Sequence, residues 1–425
     1  DILVYFPVCD AFSSRGSKTL THIDAIGREF DSTAFARCAG TLIKNGYSFD
    51  FISDRQISEL QIKNGSVVTS GQGTYRALVI PKCKYIPIET LARIDSLAAS
   101  GIRVIFFEGL PESFAGFGER DVRGQAFSTL IERLKSNDRR RNIFVTNDIL
   151  RSLSTMELRR ENFSAIGLEF IRKKDERGNF LYLLVNRQAE TYDGLISLAV
   201  RARHVEIFDP MTGAYGRAQV RERSGKSEVY VQLAPGQSLV LRTCVDCAVK
   251  DPFIFYRAGQ SRELAGNWRV TLPGRATMQT DSLVSWTNWG AAAFSGSAVY
   301  EIDFNTPSVK ARRWAIDLGD VRESARVYVN ERFVGTAIGP RYRLEFPDTL
   351  LEDRNHLKVV VSNLMANRIA DMDRKKIFWK KFYNINFAAR LPENRKDGLF
   401  NASEWSPLES GLMGPVRMVP LVPMR

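Results

Sequence analysis

The period of the apolar residues changes once along this 425-residue chain, and that change limits the possible folds more than any other feature. Through about residue 152, short apolar runs rich in β-branched residues alternate with longer runs at helical spacing. ILVYFPV near the start reads as a strand, Ser32 to Asn45 as an amphipathic helix and YSFDFI as the next strand. ALVIP, a helix from Ile88 to Ser100 stopped by Gly101, and RVIFF continue the series, and a helical stretch from Gln125 to Ser136 and a short IFV strand close it. Strands without polar alternation are buried on both faces, and helices between them allow parallel pairing. Residues 1–155 are therefore expected to form a doubly wound, flavodoxin-like α/β domain.

From about Glu161 the period becomes 2, in GLEFIRKK, NFLYLLVNRQ, GLISLAV, HVEIFDP, SEVYVQL and QSLVLRT, with turn signals ERGN, DPMTG and APGQ between them. This pattern predicts a small antiparallel β-sandwich over 160–245, followed by a connector over 246–265. A second all-β run, including NWRVTL, GSAVYEIDF, RWAIDLG, SARVYVN and HLKVVVSN, predicts a galactose-binding-like jelly-roll sandwich over 266–425. The expected class is multidomain α/β plus all-β: one doubly wound domain followed by two β-sandwich domains.

Composition removes several alternatives. Hydrophobic residues at 44% and charged residues at 25% describe an ordinary globular chain with material for several cores. The longest apolar runs fall far short of the ~20 residues of a membrane span, so none is expected. Sixty Lys+Arg against 48 Asp+Glu leave a formal charge of +12, but the basic residues are scattered. The densest runs, Arg139 to Arg141 and Arg374 to Lys376, adjoin Asp138 and Asp373, so nucleic-acid binding is not expected. Five cysteines, Cys9, Cys38, Cys83, Cys244 and Cys247, are an odd count and do not form a disulfide framework. Cys244 and Cys247 read as incidental thiols or a local disulfide, because His22, His204 and His356 lie far from zinc-ligand spacing. The opening DILVYFPV, without an initiator methionine or polar lead-in, is expected to belong to a longer polypeptide.

Residues that carry chemistry are sparse. No G-x-G-x-x-G or G-x-x-x-x-G-K-[ST] string occurs in the first domain, so no cofactor site is expected there. Cys83 follows the strand ALVIP, where a nucleophile elbow would place an activated thiol. It is flanked by Lys82 and Lys84 rather than small residues, and no later histidine of this domain can act as its base. The carboxylates Asp10, Asp54, Glu108 and Glu112 sit at loop mouths, and no catalytic role is assigned to them. All six tryptophans lie beyond residue 267. In NRIADMDRKKIFWKKFYNIN, the residues Asn367, Arg368, Asp371, Asp373, Arg374, Trp379 and Tyr383 combine rings that stack on sugars with groups that bond their hydroxyls. Together with Trp286 and Trp289 these are the carbohydrate-binding candidates; sandwich cores and structural salt bridges use the same residue types.

Several strings together resemble a known family. LIKNGYSFDFISDRQI, YRALVIPKCKYIPIETL, EIFDPMTG, VQLAPGQS, WAIDLGDVRESARVYVNERFVGTAI, NRIADMDRKKIFWKKFYNIN and DGLFNASEWSPLESGLMGPVRMVP look like the C-terminal part of glycoside hydrolase family 106, the α-L-rhamnosidases. FSGSAVYEIDF with the DLG and VYVN stretch is also similar to the sugar-binding jelly roll of glycoside hydrolase family 2. The resemblance implies a secreted or periplasmic, inverting, calcium-associated exo-hydrolase that removes terminal α-L-rhamnose from a glycan. Its two glutamates would lie on a (β/α)8 barrel upstream. No eight-fold βα series occurs in this sequence, so those glutamates have no positions here, and the segment itself is expected to hold no catalytic residue and no cofactor. It would be the accessory half, partnered with that barrel, its first domain matching a catalytically dead amidotransferase-like module. An independent carbohydrate-binding module or scaffold is the alternative, and a self-sufficient hydrolase or amidase using Cys83 or a first-domain carboxylate is the third reading.

Overall fold

A computed structural model describes residues 1–13, 31–136, 141–156, 158–245, 247, 249–339, 341–381, 388 and 391–424. The chain divides into two compact units, Asp1–Phe253 and Ile254–Arg425.

The first unit begins with strands β1 (Ile2–Tyr5), β2 (Phe49–Ile52), β3 (Ala77–Pro81), β4 (Arg103–Phe107) and β5 (Ile143–Thr146). All pairings among them are parallel, in the order β5-β4-β3-β1-β2. The three central strands are apolar at nearly every position because both faces are covered. Alternation then sorts their side chains. Leu3, Leu78, Ile80, Val104 and Phe106 pack with Leu91, Ile94 and Leu97 of α2 (Ile88–Ala99) and with Leu130 and Leu134 of α3 (Arg120–Lys135). Ile2, Val4, Val79, Ile105 and Phe107 pack with Phe35, Cys38 and Leu42 of α1 (Ala34–Lys44) and with Ile149 and Leu153 of α4 (Ile149–Ser154).

Local signals set the element ends. The Thr33 side chain accepts from the Ala36 N–H at the start of α1, satisfying one of its orphan donors. The chain leaves α1 through Gly46 at φ +77°, where a Cβ would lie 1.9 Å from the Glu161 carbonyl oxygen. Helix α3 begins at Arg120, five residues before the start expected at Gln125. Its first turn is exposed and charged and includes Gly124, so apolar spacing does not reveal it. A three-stranded antiparallel insert (Gln61–Lys63, Ser66–Val68, Thr74–Tyr75) precedes β3, and its strands are too short to show a period.

The same unit continues with β6 (Leu168–Lys174), β7 (Phe180–Asn186), β8 (Tyr192–Leu198), β9 (His204–Phe208), β10 (Tyr215–Arg217), β11 (Val220–Arg223), β12 (Lys226–Leu233) and β13 (Ser238–Cys244). They form two antiparallel sheets, β6-β7-β13-β9-β10 and β8-β12-β11. Buried Tyr182, Leu184, Leu239 and Leu241 on one sheet and Ile196, Val229 and Val231 on the other alternate with wetter neighbours, as a sandwich requires. Asn186 of β7 donates to the Leu233 carbonyl of β12 at 2.7 Å and ties one sheet to the other.

The second unit is a β-sandwich. One sheet contains β15 (Trp268–Thr271), β16 (Met278–Thr280), β17 (Ser297–Asn305), β19 (Ser324–Val329), β20 (Arg332–Ile338) and β22 (Arg354–Ser362), in the order β16-β15-β17-β22-β19-β20. The other runs β14 (Tyr256–Ala258), β23 (Arg417–Pro423), β18 (Arg313–Asp317) and β21 (Arg343–Pro347), with Arg262–Glu263 also pairing β23. Trp268, Tyr300, Val327, Val359 and Val361 from the first sheet meet Trp314, Ile316, Phe346 and Met418 from the second in one core. Helix α5 (Ala366–Arg374) follows β22 and packs outside that core. The class is therefore mixed α/β with β-sandwich layers.

Candidate functional site

Two places invite chemistry: the carboxyl ends of the parallel strands in the first unit, and the neighbourhood of α5 in the second. In the parallel sheet the strand order reverses between β1 and β3, the position at which open α/β sheets bind ligands. Tyr5, ending β1, donates its hydroxyl to Asp54 Oδ1 at 2.8 Å, and Thr90 in the first turn of α2 donates to the same oxygen at 2.7 Å. Asp10 accepts the main-chain N–H groups of Lys84 and Tyr85 at 2.8 and 2.7 Å. Arg37 of α1 grips both Glu108 oxygens at 2.8 and 2.5 Å, and Lys82 lies 3.1 Å from Glu112. Each of these four carboxylates is committed to a structural partner.

Cys83, two residues beyond β3, is buried at this edge. Burial, followed by the nearby carboxylates of Asp10 and Asp54, pushes its thiol well above the ordinary range. Cys9 is half-buried, and burial with Asp54 and Asp10 pushes it the same way. Since the thiolate is the nucleophile, neither is poised to react at neutral pH. On brief exposure of the native chain to iodoacetamide, Cys9 is expected to be alkylated well before Cys83 and before Cys38, which is buried and pushed up to about 12. Peptide mass spectrometry reads the order, and rapid labelling of Cys83 would contradict the buried, neutral thiol.

The candidates around α5 are held by their own neighbours. Asn367 donates through Nδ2 to the Leu408 carbonyl and accepts the Leu408 N–H through Oδ1, both at 2.8 Å. Asp373 accepts Trp379 Nε1 at 2.7 Å, Lys380 Nζ at 2.6 Å and the Ala402 N–H at 2.8 Å. Arg374 donates to the carbonyls of Ser403 (2.8 Å) and Trp405. Trp379 meets Phe400 edge-on, and Phe400 meets Trp405 in the same way. Asn367, Asp373, Arg374 and Trp379 are thus brought together as a clamp on residues 400–408, with their polar atoms already engaged. Asp371 pairs with Lys375 at 2.7 Å, and Arg368 is exposed. Tyr383 lies outside the described residues.

Trp286 and Trp289 lie apart from this clamp. Trp286 is fully buried in the sandwich core, edge-on to Phe294, and offers no ring face to a sugar. Trp289 is half-buried against that core, and its carbonyl accepts from Arg275 at 2.8 Å. The clamp also uses Trp405, whose Nε1 donates to Asn394 Oδ1 at 2.7 Å. The string FNASEWSP contains Trp405, but its spacing says nothing of a partner at Asn394.

A calcium ion needs a cage of six to eight oxygen ligands. Among the described residues one group of three possible metal ligands converges, Glu206 with Cys244 and Cys247, and its two sulfurs are joined in a disulfide. That set does not fit calcium. No helix of the described residues is long and apolar enough to cross a membrane.

Comparison with known proteins supplies what the geometry does not. A protein of Formosa agariphila named for β-glucuronidase activity is 31% identical over 180 residues, covering 37% of this chain and 16% of that protein. The solved rhamnosidase of Novosphingobium sp. PP1Y superposes on 88% of this chain and 36% of its own length, with a TM-score of 0.67 and 22% identity. At that identity the match shows a shared fold. The chain spans about a sixth of the curated relative and about a third of the solved one. The family model for α-L-rhamnosidase, glycoside hydrolase 106, matches residues 15–222. Those residues run from beyond β1 through the rest of the parallel sheet and into the antiparallel sheets that follow it, and over them the chain is similar to the α-L-rhamnosidase family, glycoside hydrolase 106.

Proposed function

We propose that this chain is an accessory, non-catalytic part of a carbohydrate-degrading α-L-rhamnosidase, supporting an upstream catalytic barrel that acts on a rhamnose-containing glycan outside the cytoplasm. The observation that carries this reading is the superposition of nearly the whole chain on about a third of a rhamnosidase. The chemistry of the first unit agrees with it. The strand order 2-1-3-4-5 is that of flavodoxin-like sheets, which supports an amidotransferase-like module, and the thiol at its elbow position is buried and held neutral. Glycoside hydrolysis needs two carboxyl groups facing one cleft, whereas the four at this sheet edge are each spent on a fold contact. Calcium, where the enzyme uses it, belongs to the barrel in this reading.

The test is an aryl α-L-rhamnoside assay on the 425-residue chain alone and on a polypeptide that joins it to the barrel. Turnover is expected only in the joined polypeptide, and Cys83→Ala is expected to leave that rate unchanged. Hydrolysis by the chain alone would overturn the accessory role.

A further inference from the structure

One end of the second unit's sandwich holds a cleft of about 720 Å³, within the range of small-molecule sites. Its floor is the end of three adjacent strands, where Ile338, Ser324 and Ser362 stand side by side in register. The facing wall comes from the Gly319–Glu323 segment and from Tyr342. This wall is fixed in place. The Leu318 N–H donates to the Tyr342 carbonyl at 2.8 Å, the Glu323 N–H to the Ser362 carbonyl at 2.8 Å, and the Tyr342 hydroxyl to the Glu323 carbonyl at 2.6 Å. A lining held in this way loses little freedom when it binds.

The chemistry of the lining is specific. Asp320 holds Arg322 at 2.8 Å, and Glu409 lies 3.8 Å from the same guanidinium. Glu323 is the second carboxylate of the lining beside Asp320, so the lining's carboxylates outnumber its one cation, Arg322. Such a site accepts hydroxyl donors and repels anions. Ile338 (57% exposed) and Leu364 (53% exposed) give the cleft apolar lips, and the Tyr342 ring adds a flat face. We propose that this cleft is a subsite for a neutral sugar unit, its hydroxyls donating to Glu323 and Asp320 and its apolar face against Tyr342, Ile338 and Leu364. The choice of a sugar over other neutral polyols rests on the glycosidase reading given above.

The experiment is saturation-transfer NMR on the 425-residue chain, with methyl α-L-rhamnoside and D-galacturonate as probes. Transfer to the neutral glycoside is expected, with at least tenfold weaker binding of the uronate. Glu323→Gln is expected to weaken the neutral probe about tenfold and Leu364→Ala severalfold. Both side chains are exposed, so an unchanged melting temperature accompanies the loss and excludes misfolding. Absence of transfer, equal binding of the uronate, or binding unaffected by both substitutions would overturn the subsite. The readout is binding, so the two readings separate. Rhamnoside turnover failing in the joined polypeptide while Glu323→Gln still weakens binding removes the rhamnosidase role and keeps the cleft. The reverse pair of results removes the cleft alone.

Discussion

Replacement of Glu161 by alanine is expected to lower the unfolding free energy of the first unit by about 3–5 kcal/mol, the usual effect of breaking a buried ion pair. Glu161 and Arg172 lie 2.7 Å apart, with side chains 0% and 4% exposed. The other Glu161 oxygen accepts the Ala199 N–H at 2.7 Å, and the Glu161 N–H donates to the Gly46 carbonyl at 2.9 Å. This one residue therefore joins the segment after α1, the first strand of the five-stranded antiparallel sheet and the turn after β8. Alanine leaves the buried Arg172 guanidinium with Asp1, 3.3 Å away, as its one remaining carboxylate partner among the described residues, and leaves the Ala199 N–H without its acceptor. Urea unfolding followed by circular dichroism measures the loss. Substituting both partners, Glu161→Leu with Arg172→Met, is expected to recover much of it, since no unpaired charge then remains buried. A loss below ~1 kcal/mol for Glu161→Ala would mean that water reaches Arg172.

Asp373→Ala is expected to release the clamp in the second unit, at a cost of about 3 kcal/mol. The carboxylate is 3% exposed and Lys380 14% exposed, so alanine strands an ammonium and also frees Trp379 Nε1 and the Ala402 N–H. The expected signature is a red shift and loss of intensity in tryptophan fluorescence, as Trp379 and Trp405 become wetter. The same contact has a pH dependence. Burial opposes ionisation of Asp373, but the Ala402 N–H, Lys380 and Trp379 outweigh it and hold the carboxyl below the usual carboxylate range. A carboxyl whose folded value is depressed stabilises the fold fully above its unfolded value, near 4, and loses that contribution as pH falls through the folded value. The fluorescence change should therefore appear in the native protein only on acidification below about pH 4. Asp373→Ala should show it already at pH 7. A variant with native fluorescence and native stability would show that the aromatic cluster holds residues 400–408 without the carboxylate.

Much of the architecture was legible because burial writes a period. The runs ILVY, ALVIP and RVIFF have no polar alternation, and they became the three central strands of a sheet covered on both faces. SAVYEIDFN and RNHLKVVVS place polar residues between apolar ones along much of their length, and each became a strand whose burial alternates from residue to residue. The start of α3 was not legible, because an exposed charged turn carries no apolar signal. The candidate sugar ligands were legible only as residue types. Asn367, Asp373 and Arg374 are equally suited to bonding hydroxyls and to bonding main-chain groups, and the main-chain groups they bond lie 29 to 41 residues away.

By itself, then, the sequence determined the order of α/β and β layers, the shortage of nucleophile and cofactor motifs, and the resemblance to a glycosidase family. These follow from local spacing and composition, which the chain carries without folding. Tertiary structure alone decided that Cys83 is a buried neutral thiol, that Trp286 is core, that Asn367 and Asp373 are spent on a clamp, and that Asp320, Glu323, Tyr342 and Leu364 line one cleft. Those outcomes depend on which distant groups meet, and a side chain's protonation and free hydrogen-bonding capacity are set by its neighbours in space rather than in sequence.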